Sequence, residues 1–395
     1  ASCIGGTATI GMIGLAFRCG WPAFWWLGSG AIGLLLLGLF LAKKVRATRA
    51  ATLPEIIQMR LGSKCRVFAS VMILLSSIAV VGAQFNALGL ILASLLPIKF
   101  GVATLLGALS VFVYTFIGGQ RAVIHSDRWQ FLVFLSSLAL VLLFLLSRPE
   151  CLAALRHTPA ELYNDRLPLQ RIIYFLLVFG SSFVIGPMIF GRLLSAKSPM
   201  LARKGTLRAA LGLALMALLI VAIGIAMTGL DLAVAEQDNA LFDSLKGGLP
   251  PWLGLYISIG LLCAIISSAD SCLLTASFVW ASGLRRKGDI PTARKAMLVL
   301  TLMACAIVFT DKGILGLLLA ASDIYVGGII CPVLLALLSA RQHDNNLMLC
   351  AMLAGGVCGV GAALTANANW SFTGMALSLL IAGLAFAVKC GKNQG

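Results

Sequence analysis

Between Leu261 and Gly283 the chain reads LLCAIISSADSCLLTASFVWASG. The run is apolar enough to cross a bilayer, yet Ser267, Ser268, Asp270, Ser271 and Thr275 sit at its middle. Ser267, Ser271 and Thr275 are spaced i, i+4, i+8, which puts them on one helix face, and Asp270 lies near that face. A carboxylate at membrane depth is costly and normally faces a cavity, an ion or a partner. Hydroxyls and a carboxylate supply hard oxygen ligands, which suit a cation such as sodium. The competing use of a Ser or Thr is a hydrogen bond back to the carbonyl four residues earlier, combined with small-residue packing. One hydroxyl alone fits that use; the SSADS cluster fits an ion site.

Other polar residues lie in apolar surroundings. Asp127 stands in GGQRAVIHSDRWQF, where Arg121 or Arg128 could pair with it locally. Asp323 stands in LLAASDIYVGGIICP, where it could line a central path or cap a break before Gly327-Gly328. Gln84 and Asn86 in VVGAQFNALG are further candidates, although a buried amide more often bonds a neighbouring helix. The three His are in or near loops, and no Ser/His/Asp or Cys/His constellation has a catalytic context. No GxxxxGK[ST] run is present for nucleotide hydrolysis. The expectation is a non-enzyme with no cofactor.

The elements that must carry these residues are membrane helices. The 395 residues are 60% hydrophobic and 11% charged, with a mean hydropathy of +1.01. A soluble domain could not hide that much apolar surface. Runs of roughly 20 apolar residues recur, and the alternation of a membrane β-barrel does not. The 11 Cys lie mostly in apolar runs, without a CxxC spacing, and read as small buried residues. The net charge of +16 comes from Lys and Arg in short loops, a topology signal; no basic domain suggests nucleic-acid binding.

Twelve helices are expected, at about 4–17, 23–43, 66–96, 101–117, 122–147, 171–195, 207–229, 251–283, 293–309, 313–340, 346–366 and 370–389. An amphipathic piece, TLPEIIQMRLG, follows the second. Basic residues follow the even-numbered helices, as with Lys43, Lys44 and Arg46, Lys197 and Arg203, or Arg285 to Lys287. Loops after the fifth and seventh are richer in acids. Even-numbered helices and the C-terminus are therefore expected in the cytoplasm of a multi-pass cell-membrane protein. Helices 1–5 (1–147) and 6–10 (171–340) permit two groups of five, with 344–395 adding two helices. An odd-numbered repeat must be inverted, an architecture in which broken helices meet at mid-membrane. IGG in the first helix and Gly186-Pro187 in the sixth are the expected breaks; a simple kink is the other reading of Gly186-Pro187.

Four stretches in order resemble the sodium/solute symporter family, whose members share the LeuT-type fold. GGQRAVIHSDRWQ (118–130) resembles its GG-x-x-AV-x-x-(T/S)D-x-x-Q motif, and GRLLSAKSPMLARKG (191–205) its QR-x-x-AAK-x-x-x-x-A-x-x-G motif. SSADSCLLTAS (267–277) is similar to its eighth core helix, and ATLPEIIQMRLG (51–62) to its TLPE-x-x-x-x-R-(F/Y)G segment. The resemblance implies an all-α 5+5 inverted repeat, with the helix before core helix 1 and half of that helix missing here, an N-terminal truncation.

It also implies a sodium site of backbone carbonyls at Ala1, Ile4 and Ala264 with the hydroxyls of Ser267 and Ser268. Such a cage carries no net charge and suits reversible binding of a monovalent ion. Asp127 would serve sodium binding or exit, and Asp270 and Ser271 would belong to the ion pathway or a second ion site. Substrate would lie beside Thr7, Ala8, Gln84, Gly186 and Met188, with Asp323 as a further candidate. The matching stretches GGTATIG and IGPMIFG are poor in amides and carboxylates, and the proline carriers' acid in core helix 1 is missing. A small organic anion, an amino acid or a choline-like solute fits better than a sugar. The expected function is sodium-coupled symport by alternating access, with the solute, sodium and the lipid bilayer as partners. A proton-coupled carrier using Asp270 or Asp323, or a transporter-like sensor module, are the alternatives. No feature of the sequence sets an oligomeric state.

Overall fold

The computed structural model describes residues 5–230, 248–284, 289–310, 313–339 and 343–392. Among them eleven helices are long and apolar enough to cross a membrane, and a shorter apolar helix precedes them. That matches the twelve expected hydrophobic segments. The acidic 231–247 loop and the Arg285–Lys287 cluster lie outside the described residues.

The first helix, α1 (Gly6–Cys19), starts after an extended Gly5. It is followed by α2 (Trp21–Ala47), the amphipathic α3 (Leu53–Leu61) and α4 (Ser63–Leu95). Two spans, α5 (Phe100–Gln120) and α6 (Ala122–Leu146), come next. The chain turns between them at Gly119, whose φ of 56° is the left-handed region that a Cβ disfavours, and the Tyr114 hydroxyl of α5 meets Ser126 of α6 at 2.6 Å across the turn. A short surface helix, α7 (Pro149–His157), leads to the broken pair α8 (169–184) and α9 (Pro187–Leu194). The chain continues through α10 (Pro199–Leu230), α11 (Pro251–Leu284), α12 (Ile290–Val308) and α13 (Ile314–Leu338). It closes with α14 (Asn345–Thr365) and α15 (Ala368–Lys392).

Local chemistry sets most helix starts. Proline occupies the first turn of α3, α7, α9, α10, α11 and α12, where its missing N–H costs nothing. The Ser198 hydroxyl accepts from the Leu201 N–H, and the Asp344 carboxylate from the Asn346 and Leu347 N–H groups.

The centre of the molecule is α4, α11 and α13, which are the most enclosed spans. α11 packs along α4, α5 and α6, and α13 lies against α4 and α14. α1 packs on α10 and touches α11. A Cβ on Gly6 would collide with Ile265, so α1 approaches α11 at the turn before the SSADS cluster. Gly327 and Gly355 play the same part between α13 and α14, where a Cβ on either would strike the other's carbonyl oxygen.

Candidate ion and substrate site

The break between α8 and α9 builds the middle of the site. Pro187 has no N–H to donate, and Ile185 leaves the helical region at φ −128°, ψ 51°. The Ile185 carbonyl is then free of the helix ladder, and the Tyr325 hydroxyl on α13 donates to it. An exposed carbonyl at mid-membrane would be left without water, so this cross-helix bond is what makes the break tolerable. The broken-helix reading of Gly186-Pro187 therefore holds over a simple kink.

Beside the break lies a cavity of about 180 Å³. Ala8, Gln84, Gly186 and Met188 all line it, and so does Ser268. Four residues expected around substrate thus come together from α1, α4 and the α8–α9 break, with Ser268 of α11, expected at the sodium site, beside them. Ala1 and Ile4 lie outside the described residues, as does the side chain of Thr7. Sequence reasoning missed the aromatic wall: Phe179, Phe183 and Tyr325 also line the cavity. The Phe179 and Phe183 rings lie 5.4 Å apart, and Trp26 buttresses Phe179 from behind at 5.9 Å. Phe179 and Phe183 are spaced i, i+4, the one sequence signal that could have flagged them. The other wall hydroxyls are already committed, Ser76 to the Ala321 carbonyl, and Ser77, Ser182 and Ser322 to carbonyls of their own helices.

Ser268 differs. It is 4% exposed, and its hydroxyl has no hydrogen-bond partner among the described residues. Ser267, one residue earlier and 1% exposed, donates at 2.6 Å to Oδ1 of Asp127 on α6. Oδ2 of Asp127 accepts at 2.6 Å from Arg192 of α9, which also reaches the Ser271 hydroxyl at 3.0 Å. This corrects the expected local pairing with Arg128: the α6 face carrying Asp127 turns toward α9 and α11, where Arg192 is its partner, and the side chain of Arg121 lies outside the described residues. Arg192 lies in the GRLLSAKSPMLARKG stretch, but spacing alone could not say which acid it meets.

Asp270 is fully buried, and neither carboxylate oxygen meets a hydrogen-bond partner in good geometry. The N–H and hydroxyl of the adjacent Ser271 lie beside it, and the charges of Asp127 and Arg192 act on it. Leaving a buried ionised oxygen without a partner is costly. Asp127, Ser267 and Ser271 are gathered through the Ser267 and Arg192 hydrogen bonds, with the buried carboxylate of Asp270 beside Ser271 and the unmatched hydroxyl of Ser268 on the cavity side, and such hard oxygen ligands fit a small cation. Ala264 is buried one turn earlier on α11. Thr275 returns its hydroxyl to the Ser271 carbonyl and takes no part.

A second cavity, about 260 Å³, is lined by Ser271, Arg192 and Met188 on one side and by Ala51, Thr52 and Gln120 on the other. The oxygen cluster thus stands between the two cavities, touching the first through Ser268 and the second through Ser271.

Asp323 sits elsewhere. It accepts from the Tyr174 hydroxyl of α8 at 2.8 Å and from Ser371 of α15 at 2.5 Å. It is absent from the cavity wall, where its neighbour Ser322 points instead. Neither expected role, path lining or capping of a break, fits this position, because α13 runs unbroken through it and the carboxylate ties α8 to the added helix α15.

A helical membrane protein with a broken helix beside a polar cluster has the architecture found in secondary transporters with discontinuous helices. Residues 1–355 match the Sodium:solute symporter family, and the chain belongs to it. It is 27% identical to a high-affinity choline transporter of Torpedo marmorata over 64% of this chain and 47% of that protein. It is 25% identical to a high affinity choline transporter of Homo sapiens over 80% of this chain and 59% of that protein. A sodium/proline symporter of Staphylococcus aureus is 26% identical over 70% of this chain and 57% of that protein. The chain spans about half the length of these curated relatives. Its fold is that of a Na+-coupled sialic acid symporter, at a TM-score of 0.81 and 16% identity over 98% of this chain and 87% of that one. A nucleobase-cation-symport-1 family transporter follows at 0.59 and 16% identity, over 96% and 88% of the two chains. The LeuT-type architecture expected from the motifs is thereby confirmed.

Proposed function

We propose that this protein is a sodium-coupled symporter that carries a small organic solute across the membrane by alternating access. The observation that carries the reading is Ser268, whose buried, unpartnered hydroxyl lines the solute cavity next in sequence to Ser267 of the oxygen cluster. A sodium ion held by Ser267, Ser268 and the carbonyl of Ala264, with carbonyls of Ala1 and Ile4, would complete one wall of the solute pocket. Solute and ion would then favour each other's binding, as linkage requires. Asp127, Asp270 and Ser271 would form a second ion site or the exit path, since the second cavity begins at Ser271. Arg192 holds Asp127 in place and would release it when an ion leaves. The halves 1–147 and 171–340 would rock against each other as inverted repeats, with 344–395 bracing the second.

The pocket favours a choline-like solute. Phe179, Phe183 and Tyr325 offer ring faces, and no ionised side chain is among the cavity's wall residues. Ring faces attract a quaternary ammonium without the hydrogen bonds an ordinary amine needs. Choline is also what two of the similar proteins are named for.

The test is uptake of labelled choline and proline into proteoliposomes under an inward sodium gradient, with potassium as control. Ser267→Ala combined with Ser268→Ala should abolish the sodium-dependent part. Unchanged uptake would sink the site assignment, and uptake driven equally by a pH gradient without sodium would favour a proton-coupled carrier.

A further inference from the structure

A third cavity, about 720 Å³, opens on the outer surface between α6, α9 and α10. Arg128 of α6 and Arg208 of α10 border it, and both are exposed. Arg128 is the seventh residue of its span and Arg208 the tenth of its own. At 1.5 Å per residue they lie about 9 Å and about 14 Å inside their helix starts. No hydrogen bond or ion pair holds either guanidinium among the described residues, whereas Arg192, deeper in the groove, is taken by Asp127. An exposed guanidinium without a protein partner is open to an anion that can accept from both arms of its fork.

Asp127, neutralised by Arg192, and Thr206 also border the groove, and the remaining wall is apolar. Gly205, Ala209 and Gly212 of α10 share one face on its floor, opposite Phe131 of α6. A Cβ on Gly205 or Gly212 would meet nothing within 4 Å. Two cationic forks above an apolar channel are complementary to one amphiphile: a phosphate head with an acyl chain beneath it. Guanidinium pairs with phosphate bidentately, and basic pockets between membrane helices suit acidic lipid head groups. We propose that the α6–α10 groove is a binding site for one anionic phospholipid, its phosphate between Arg128 and Arg208 and an acyl chain along Gly205, Ala209 and Gly212. A zwitterionic lipid carries its own ammonium beside the phosphate and gains less from the two arginines.

The experiment is thermal unfolding and native mass spectrometry of the purified protein in a neutral detergent. Dioleoylphosphatidylglycerol, dioleoylphosphatidylcholine and inorganic phosphate are added separately. Phosphatidylglycerol should raise the Tm and give a single retained adduct, while the other two do neither. Arg128→Gln with Arg208→Gln should weaken the adduct roughly tenfold, about 1.4 kcal/mol. Gly212→Leu keeps both arginines and fills the channel, so it should weaken the adduct too; it also stands in if the double variant fails to fold. An equal effect of phosphatidylcholine or of phosphate alone overturns the proposal, as does full retention of the adduct in Gly212→Leu.

Discussion

Two buried aspartates in this chain are treated in opposite ways by their surroundings. Asp323 is satisfied by the hydroxyls of Tyr174 and Ser371, so its carboxylate is a structural acceptor. Asp323→Asn should lower stability by about 1.5–3 kcal/mol, the usual worth of hydrogen bonds to a charged group. Thermal unfolding reads that loss, and the solute KM should stay put; a KM shift without a stability loss would restore it to the solute site. Asp270 has no well-placed hydrogen-bond partner among the described residues, so a bound cation would offset its burial cost. Asp270→Asn should leave folding intact or improved, yet raise the sodium concentration for half-maximal uptake about tenfold, near 1.4 kcal/mol. A sodium titration of uptake at fixed solute checks this, and an unchanged midpoint would remove Asp270 from the ion path. Both residues read alike in the sequence, as acids in apolar runs. Only their neighbours separate them.

At the scale of the element, the design rests on where helices are allowed to break and where they must touch. The α8–α9 break is legible from Gly186-Pro187, because proline's missing donor acts locally. Its partner, Tyr325, is not legible, since it comes from α13, 140 residues away. Close contact is likewise a matter of neighbours. Gly355→Ala puts a methyl into the Gly327 carbonyl and should cost about 1–3 kcal/mol by overpacking. Gly383 on α15 faces open space, so Gly383→Ala should instead gain up to about 1 kcal/mol from helix propensity. Unfolding temperatures of the two variants, measured side by side, should move in opposite directions. A common direction would mean that α14 does not seat on α13 as described.

For the whole molecule, the basic loops predict orientation. A reporter that fluoresces only in the cytoplasm, fused after Gly395, should light up, and cysteine labels placed in the 148–170 loop should react from outside intact cells. The reverse pattern would invert the positive-inside reading. Coupling is also a whole-molecule property. Sodium and solute should each raise the Tm more in the other's presence than alone, because ligands that share Ser268 bias one equilibrium. Simple additivity of the two shifts would separate the sites.

The sequence by itself determined the class, the number of hydrophobic segments and the position of the break at Gly186-Pro187. These follow from hydropathy, proline chemistry and motif order, all of which act over a few turns of chain. The tertiary structure alone decided the pairing of Asp127 with Arg192, the exile of Asp323 from the cavity and the aromatic wall of Phe179, Phe183 and Tyr325. Each depends on which face of one helix meets which face of another. In a membrane that choice is made by small-residue contacts and buried polar pairs, because apolar periodicity fades when nearly every face is apolar.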